Sequence, residues 1–208
     1  MSGPTAAPAL LVRHAETEWS RDGRHTGRTD IPLTDGGRAR ARELRERLAP
    51  WRFELVLVSP SLRARETCEL SGLGEQGQAR PELLEWDYGD YEGLTSAQIA
   101  ADRPGWKLWR DGAPGGESPA QIGARADATI AELRRADGAV AVFSHGHMLR
   151  VLGARWIGLD AAGGGSLGLT TAALCLLAHE HGSPIVARWN DGGQGAFAPD
   201  EATAARGG

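Results

Sequence analysis

A chain of 208 residues fits one ordinary domain, and 41% hydrophobic content is enough to bury a substantial core. The formal net charge of −4 argues against a protein whose whole surface binds nucleic acid or acidic lipid, so any anion site must be a local basic pocket. No apolar run reaches the roughly 18 to 20 residues of a membrane span, and the start "MSGPTAAPALLV" lacks a basic segment ahead of a long apolar one, so a cytoplasmic protein with no membrane association is expected.

In chain order, residues 1–8 read as a loose start, and the first strand, 9–12, is a short apolar run that stops on Arg13 and His14. A helix is predicted over 34–49, with Thr34 as N-cap. Its arginine-rich run 38–47 is interrupted by Glu43 and Glu46 and carries Leu44 and Leu48, which reads as a solvated amphipathic face rather than a nucleic-acid patch. A second strand over 55–58 leads into a helix over 62–73 that contains Arg63, and another helix is predicted over 95–102. Ser118 caps a helix over 118–135, in which Ile122, Ala126, Ile130 and Leu133 recur at helical spacing. A third strand over 140–143 precedes His145 and a helix over 148–157. Strands over 173–178 and 185–189, joined by "EHGSP", read as a hairpin, and about 193–208 reads as a loose terminus.

Five strands alternating with helices imply an α/β three-layer sandwich, a mostly parallel sheet with an antiparallel edge and helices on both faces, in one domain spanning 1–208. The two cysteines, Cys68 and Cys175, sit in apolar patterns and read as buried thiols, and no zinc-ligand spacing exists.

Ligands of open parallel sheets bind at the carboxyl ends of the strands. Three predicted strand ends here carry Arg13 with His14, Arg63, and His145, so these groups are expected to converge. Two arginines and two histidines around one point suit a phosphoryl group, whose oxygens guanidinium forks can grip. A histidine there can attack phosphorus, and a carboxylic acid must then protonate the leaving oxygen. The loop "LLEWDYGDYEG" offers Glu85, Asp87, Asp90 and Glu92, among which this chemistry does not choose.

The ordered segments "LLVRHAETEWS", "GRTDIPLTDGGRARA", "SPSLRARET", "EWDYGDYEG" and "SHGHMLR" resemble the histidine phosphatase superfamily, in its phosphoglycerate mutase-like branch with the RHG motif. Within it the chain looks most similar to short actinobacterial acid phosphatases and fungal sugar-bisphosphate phosphatases. The resemblance implies that His14 is the phosphorylated nucleophile, that Arg13 and Arg63 bind phosphate, and that His145 hydrogen-bonds the transferred group. It selects Glu85 as the general acid. It also places Ser20, Thr26, Gly27 and Tyr88 near the substrate and makes Gly146 a backbone donor to phosphate. Trp86, Trp106 and Trp109 are candidates for the pocket wall, although core packing is the default for each. Ala15 replaces the family's usual glycine, which is harmless only at negative φ, and Ser20 replaces the asparagine of the mutases.

The expected activity is a metal-independent phosphomonoesterase acting on a small phosphorylated metabolite through a phosphohistidine, with no cofactor because the arginines supply the charge stabilisation. Mutase-type transfer is the alternative; mutases hold the substrate carboxylate with a lysine and adjacent arginines, whereas this chain has Lys107 and Arg110 without an adjacent pair. A phosphoprotein phosphatase or a non-catalytic phospho-ligand sensor are further alternatives. The expected partner is the small phosphorylated substrate, with no nucleic acid and no membrane; a homodimer is compatible with the sequence.

Overall fold

The computed structural model describes residues 7–193. The first strand, Ala9–Arg13 (β1), is buried at every position but its last, because helices cover both faces of the sheet in which it lies. The other strands are Leu55–Val58 (β2), Gly77–Ala79 (β3), Val140–Ser144 (β4), Leu174–Glu180 (β5) and Ser183–Asp191 (β6). Their order is β3-β2-β4-β1-β5-β6, with the first four mutually parallel and β5 and β6 antiparallel. The expected mostly parallel sheet with an antiparallel edge is what forms.

The helices are Glu18–Arg21 (α1), Asp35–Leu48 (α2), Leu62–Leu70 (α3), Ser96–Asp102 (α4), Leu108–Asp111 (α5), Pro119–Leu133 (α6) and Gly146–Trp156 (α7). Strand residues alternate between two cores. Leu11, Leu57 and Val142 pack with Ile122 and Ile130 of α6 and Leu149 and Leu152 of α7. Leu10, Val12, Val56 and Phe143 pack with Ala41, Leu44 and Leu48 of α2 and with Ala64 and Cys68 of α3. A strand buried on both faces has no polar side to show, hence the unbroken apolar runs of the sequence.

Local signals explain most boundaries. The Thr34 and Ser118 hydroxyls accept the N–H groups of Gly37 and Gln121, so both predicted N-caps form. The hairpin turns on His181 and Gly182, both at positive φ as a two-residue type I′ turn requires. Three elements have no counterpart among the predicted ones. β3, "GQA", lacks β-branched residues and is a strand only because β2 pairs with it, while α1 and α5 are single turns too short to show a period. α7 begins at Gly146, earlier than expected, because His145 is extended and the helix starts directly after it. Ala7 is buried and the Pro8 carbonyl accepts the Val140 N–H, so the chain is tied to the sheet before β1. The rest of the expected loose termini lies outside the described residues. Cys68 and Cys175 are free and buried, and no helix among the described residues is long and apolar enough to cross a membrane.

One arginine departs from the predicted solvated face of α2. The Arg47 side chain is only 4% exposed, with Nη2 2.6 Å from Asp191 Oδ1 at the end of β6. Replacing Arg47 with methionine is expected to cost about 2 kcal/mol, below the usual range for a fully buried pair because Asp191 keeps some solvent access. Urea denaturation would measure it, and an unchanged midpoint would count against the pairing.

Candidate active site

β1 and β4 are neighbours, with Arg13 opposite Ser144. The His14 N–H donates to the Ser144 carbonyl at 2.9 Å, so the histidines that follow the two strands leave the sheet side by side, their ring centroids 5.2 Å apart. β2 flanks β4 on its other side, and its continuation through Ser59 and Ser61 into α3 brings in Arg63. Arg63 Nε donates to His145 Nδ1 at 3.1 Å. The three strand ends therefore meet as expected.

Hydrogen bonds define the state of each ring. His14 Nδ1 lies 2.7 Å from the Ala15 carbonyl, which can only accept, so the hydrogen is on Nδ1 and the lone pair on Nε2. Burial, reinforced by the charges of Arg63 and Arg13, holds its pKa well below the usual imidazole range. A neutral imidazole with a free Nε2 is a nucleophile. Ala15 is not among the residues at positive φ, which makes its methyl group harmless, and its N–H donates to Thr67.

Burial and the Arg63 charge keep His145 neutral as well. Its Nδ1 accepts from Arg63, so Nε2 carries the hydrogen, 2.7 Å from Ser59 Oγ and 3.1 Å from Ser61 Oγ. Both ring nitrogens are thus engaged by protein in the free chain, and the ring stands beside that of His14. Arg63 is placed similarly. Of its five N–H groups, four donate to His145 and to the carbonyls of Thr29, Thr26 and Gly27, leaving one on Nη1.

Arg13 has donors to spare. Nη1 donates to the Leu169 carbonyl, and the buried Nε has no protein acceptor. The Cα of Gly146 lies so close that a Cβ there would sit 3.2 Å from Arg13 Cζ. Arg13, His14, Ser20, Thr26, Glu85, Tyr88 and Gly146 line one cavity of about 240 Å³. Gly27 stands behind it, its N–H on Glu92 and its carbonyl on Arg63. The Ser20 hydroxyl is engaged in the N-terminal cap of α1 with Thr17, and that of Thr26 bonds the Arg24 carbonyl.

Of the four acidic residues in the loop, Glu85 is on the lining. Asp87 pairs with Arg28, and Glu92 accepts from Gly27 and Thr29. The Glu85 carboxylate accepts the N–H groups of Trp86, His147 and Met148, the last two at the start of α7. Burial works to raise its pKa, but the neighbouring His147, through its side chain and its main-chain N–H, outweighs it and holds the group well below the usual carboxylate range. Glu85 is thus ionised in the free protein.

Several residues of the site were not singled out from the sequence. His25, His147, Arg24 and Arg150 also line the cavity. His147 Nδ1 lies 2.7 Å from the Tyr88 hydroxyl, and Tyr88 stays a neutral phenol because burial and the Glu85 charge raise its pKa. Burial and the adjacent His147 lower the pKa of His25 to about 4. The repeated histidine in "SHGHMLR" was the available signal. Glu117 gave none: its carboxylate accepts Arg125 and the Asp87 N–H, while Arg125 grips the carbonyls of Leu84 and Glu85, bracing the acid loop from α6. Trp86 and Trp106 are core residues, whereas Trp109 packs against His147 with centroids 5.2 Å apart. Lys107 and Arg110 lie off the cavity lining, Arg110 paired with Asp111.

The arrangement can hold a phosphoryl group against a neutral histidine with a carboxyl group alongside. The model of the Histidine phosphatase superfamily (branch 1) matches residues 9–192. An acid phosphatase of Mycobacterium tuberculosis is 41% identical over 177 residues, covering 83% of this chain and 87% of the relative. A sedoheptulose 1,7-bisphosphatase of Saccharomyces cerevisiae is 36% identical over 190 residues, 75% of this chain and 70% of the relative. The solved structure of the open reading frame Rv3214 product of Mycobacterium tuberculosis superposes with a TM-score of 0.85 at 39% identity, covering 90% of this chain and 99% of that one.

Proposed function

The chain is a phosphatase belonging to branch 1 of the histidine phosphatase superfamily, and we propose that it hydrolyses a small phosphorylated metabolite through a covalent phosphohistidine on His14. The observation that carries this is the neutral His14, its Nδ1 tied to a carbonyl and its Nε2 free, in a cavity beside the unpaired Nε of Arg13.

In the proposed reaction the phosphoryl oxygens dock on Arg13, on the remaining N–H of Arg63 and on the main-chain N–H of Gly146 at the start of α7. His14 Nε2 attacks phosphorus while the P–O bond to the alcohol breaks, and Glu85 passes a proton to the departing oxygen. Because Glu85 is ionised beforehand, that proton arrives with the substrate monoanion; the approaching phosphoryl charge raises the carboxyl pKa. Water, deprotonated by Glu85, then attacks phosphorus and releases His14. His145 acts on this reading as a neutral prop that orients Arg63 and shields His14.

The position of Lys107 and Arg110 off the cavity lining supports hydrolysis over mutase-type transfer. The small cavity supports a metabolite over a phosphoprotein. The proposed setting is the cytoplasm, in keeping with two free buried cysteines, and the whole chain is read as one catalytic domain.

Guanidinium groups supply the charge stabilisation that a metal ion gives other phosphatases, so phosphate release from a panel of phosphomonoesters should persist in EDTA and be inhibited by vanadate. Activity lost to EDTA and restored by a divalent ion would contradict the proposal. So would interconversion of 3- and 2-phosphoglycerate that outpaces phosphate release.

A further inference from the structure

The two oxygens of the Glu85 carboxylate are not equivalent. Oε1 accepts the N–H groups of Trp86 and Met148, each at 2.9 Å, which fills its two acceptor positions. Oε2 accepts one, from the His147 main chain at 3.0 Å, and keeps a second position open. The His147 side chain stands beside that same oxygen, with Nδ1 3.8 Å from Oε2 and 2.7 Å from the Tyr88 hydroxyl.

The imidazole is held from several sides. The rings of Tyr88 and Trp86 meet it edge-on, with centroids 5.8 Å and 6.2 Å away, and Trp109 lies at 5.2 Å. Trp109 is itself fixed by the Arg150 guanidinium, 4.5 Å over its ring, whose Nε and Nη2 donate to the carbonyls of Gly164 and Gly165 at 3.0 Å each. Among the described residues His147 is the one hydrogen-bond partner of the Tyr88 hydroxyl, and Tyr88 is buried. A ring framed by aromatic neighbours and tied by a buried phenol keeps one orientation, so Nδ1 stays on the open side of the carboxylate.

We propose that His147, held by Tyr88, is a positioning residue for the acid–base step: it fixes Glu85 Oε2 as the oxygen that exchanges protons with the leaving group and the attacking water, and keeps that oxygen unprotonated until the substrate brings its proton. This rests on the phosphatase reading above and deepens it. The imidazole facing Oε2 favours the ionised carboxylate, and its loss leaves burial, which favours the protonated one. Glu85 then already holds a proton where the substrate monoanion prevails, so the productive pairing of ionised Glu85 with the monoanion moves to higher pH. The other groups around His147 keep their charge over that range. Arg13, Arg24 and, on α7 itself, Arg150 are cations, and Tyr88, His14 and His145 are neutral. His25, its centroid 6.1 Å from that of His147, titrates at about 4.

The test records kcat/KM against pH for butyl phosphate and for p-nitrophenyl phosphate, whose leaving group departs without a proton. In His147→Leu the maximum for butyl phosphate is expected to move up by about one pH unit; at about pH 5 its value should fall about ten-fold, while that for p-nitrophenyl phosphate changes by less than about three-fold. His147→Asn, whose amide nitrogen can take the place of Nδ1, should recover part of the loss, and Tyr88→Phe should move the maximum in the same direction by less. An unmoved maximum in His147→Leu, or an equal loss on both esters across the pH range, reduces His147 to packing and overturns the proposal. If His147→Leu does not fold, His147→Asn and Tyr88→Phe decide, and a wild-type profile in both overturns it. The parent reading fails separately, if wild-type protein does not release phosphate from p-nitrophenyl phosphate.

Discussion

Replacing His14 with alanine is expected to lower kcat on p-nitrophenyl phosphate by about four orders of magnitude or more, the scale on which covalent enzymes respond to loss of their nucleophile. The variant keeps Arg13, Arg63 and the Gly146 N–H, so it should still bind phosphate. It lacks the nitrogen that forms the bond. Rapid quench into alkaline detergent after mixing with labelled substrate should leave base-stable, acid-labile label on wild-type protein and none on His14→Ala. The fold should survive, because His14 is anchored through its backbone to Ser144 and Ala172 as well as through its ring. A variant that retains about a hundredth of wild-type activity would point to direct attack by water and remove the phosphohistidine from the mechanism.

The second large effect concerns Glu85, where leaving group and pH separate chemistry from structure. Glu85→Gln should cost about 10³-fold in kcat/KM for an alkyl phosphate and much less for p-nitrophenyl phosphate, since nitrophenolate departs without a proton. A merely structural loss would lower both equally. For the wild type the signs of the pH dependence follow from the two groups. His14 is active when neutral, and its depressed pKa places the acid limb well below the usual imidazole range. Glu85 is ionised in the free protein, so the proton needed by the leaving group comes with the substrate, whose second ionisation lies near 6. As pH rises above about 6 the monoanion disappears and kcat/KM for alkyl phosphates falls. A value that climbs between about pH 6 and 8 would show that the proton has another source.

The depressed Glu85 pKa has a tertiary cause. Residue type and loop position mark Glu85 as an acid, but its protonation state is set by α7, whose first N–H groups point at its carboxylate. The same helix start places His147 beside it, which a chain position 62 residues away does not reveal.

By itself the sequence determined the elements whose signals are local. Apolar runs marked β1, β2, β4, β5 and β6, helical spacing marked α6, hydroxyl caps marked the starts of α2 and α6, and "EHGSP" marked the hairpin. Each depends on residues a few positions apart. The order of charged groups at three strand ends also pointed to phosphate chemistry, because parallel topology sends all such ends to one edge. Only the tertiary structure decided which of those groups face the cavity. Arg13 keeps a free buried donor, whereas Arg63 and His145 use most of their hydrogen-bonding capacity on each other and on neighbouring loops. It likewise decided that β3 is a strand, that Arg47 is buried against Asp191, and that Arg150 is seated on Trp109 and a glycine turn. Those outcomes depend on partners brought together by packing, and the free energy of a long-range contact leaves no periodicity in the chain that makes it.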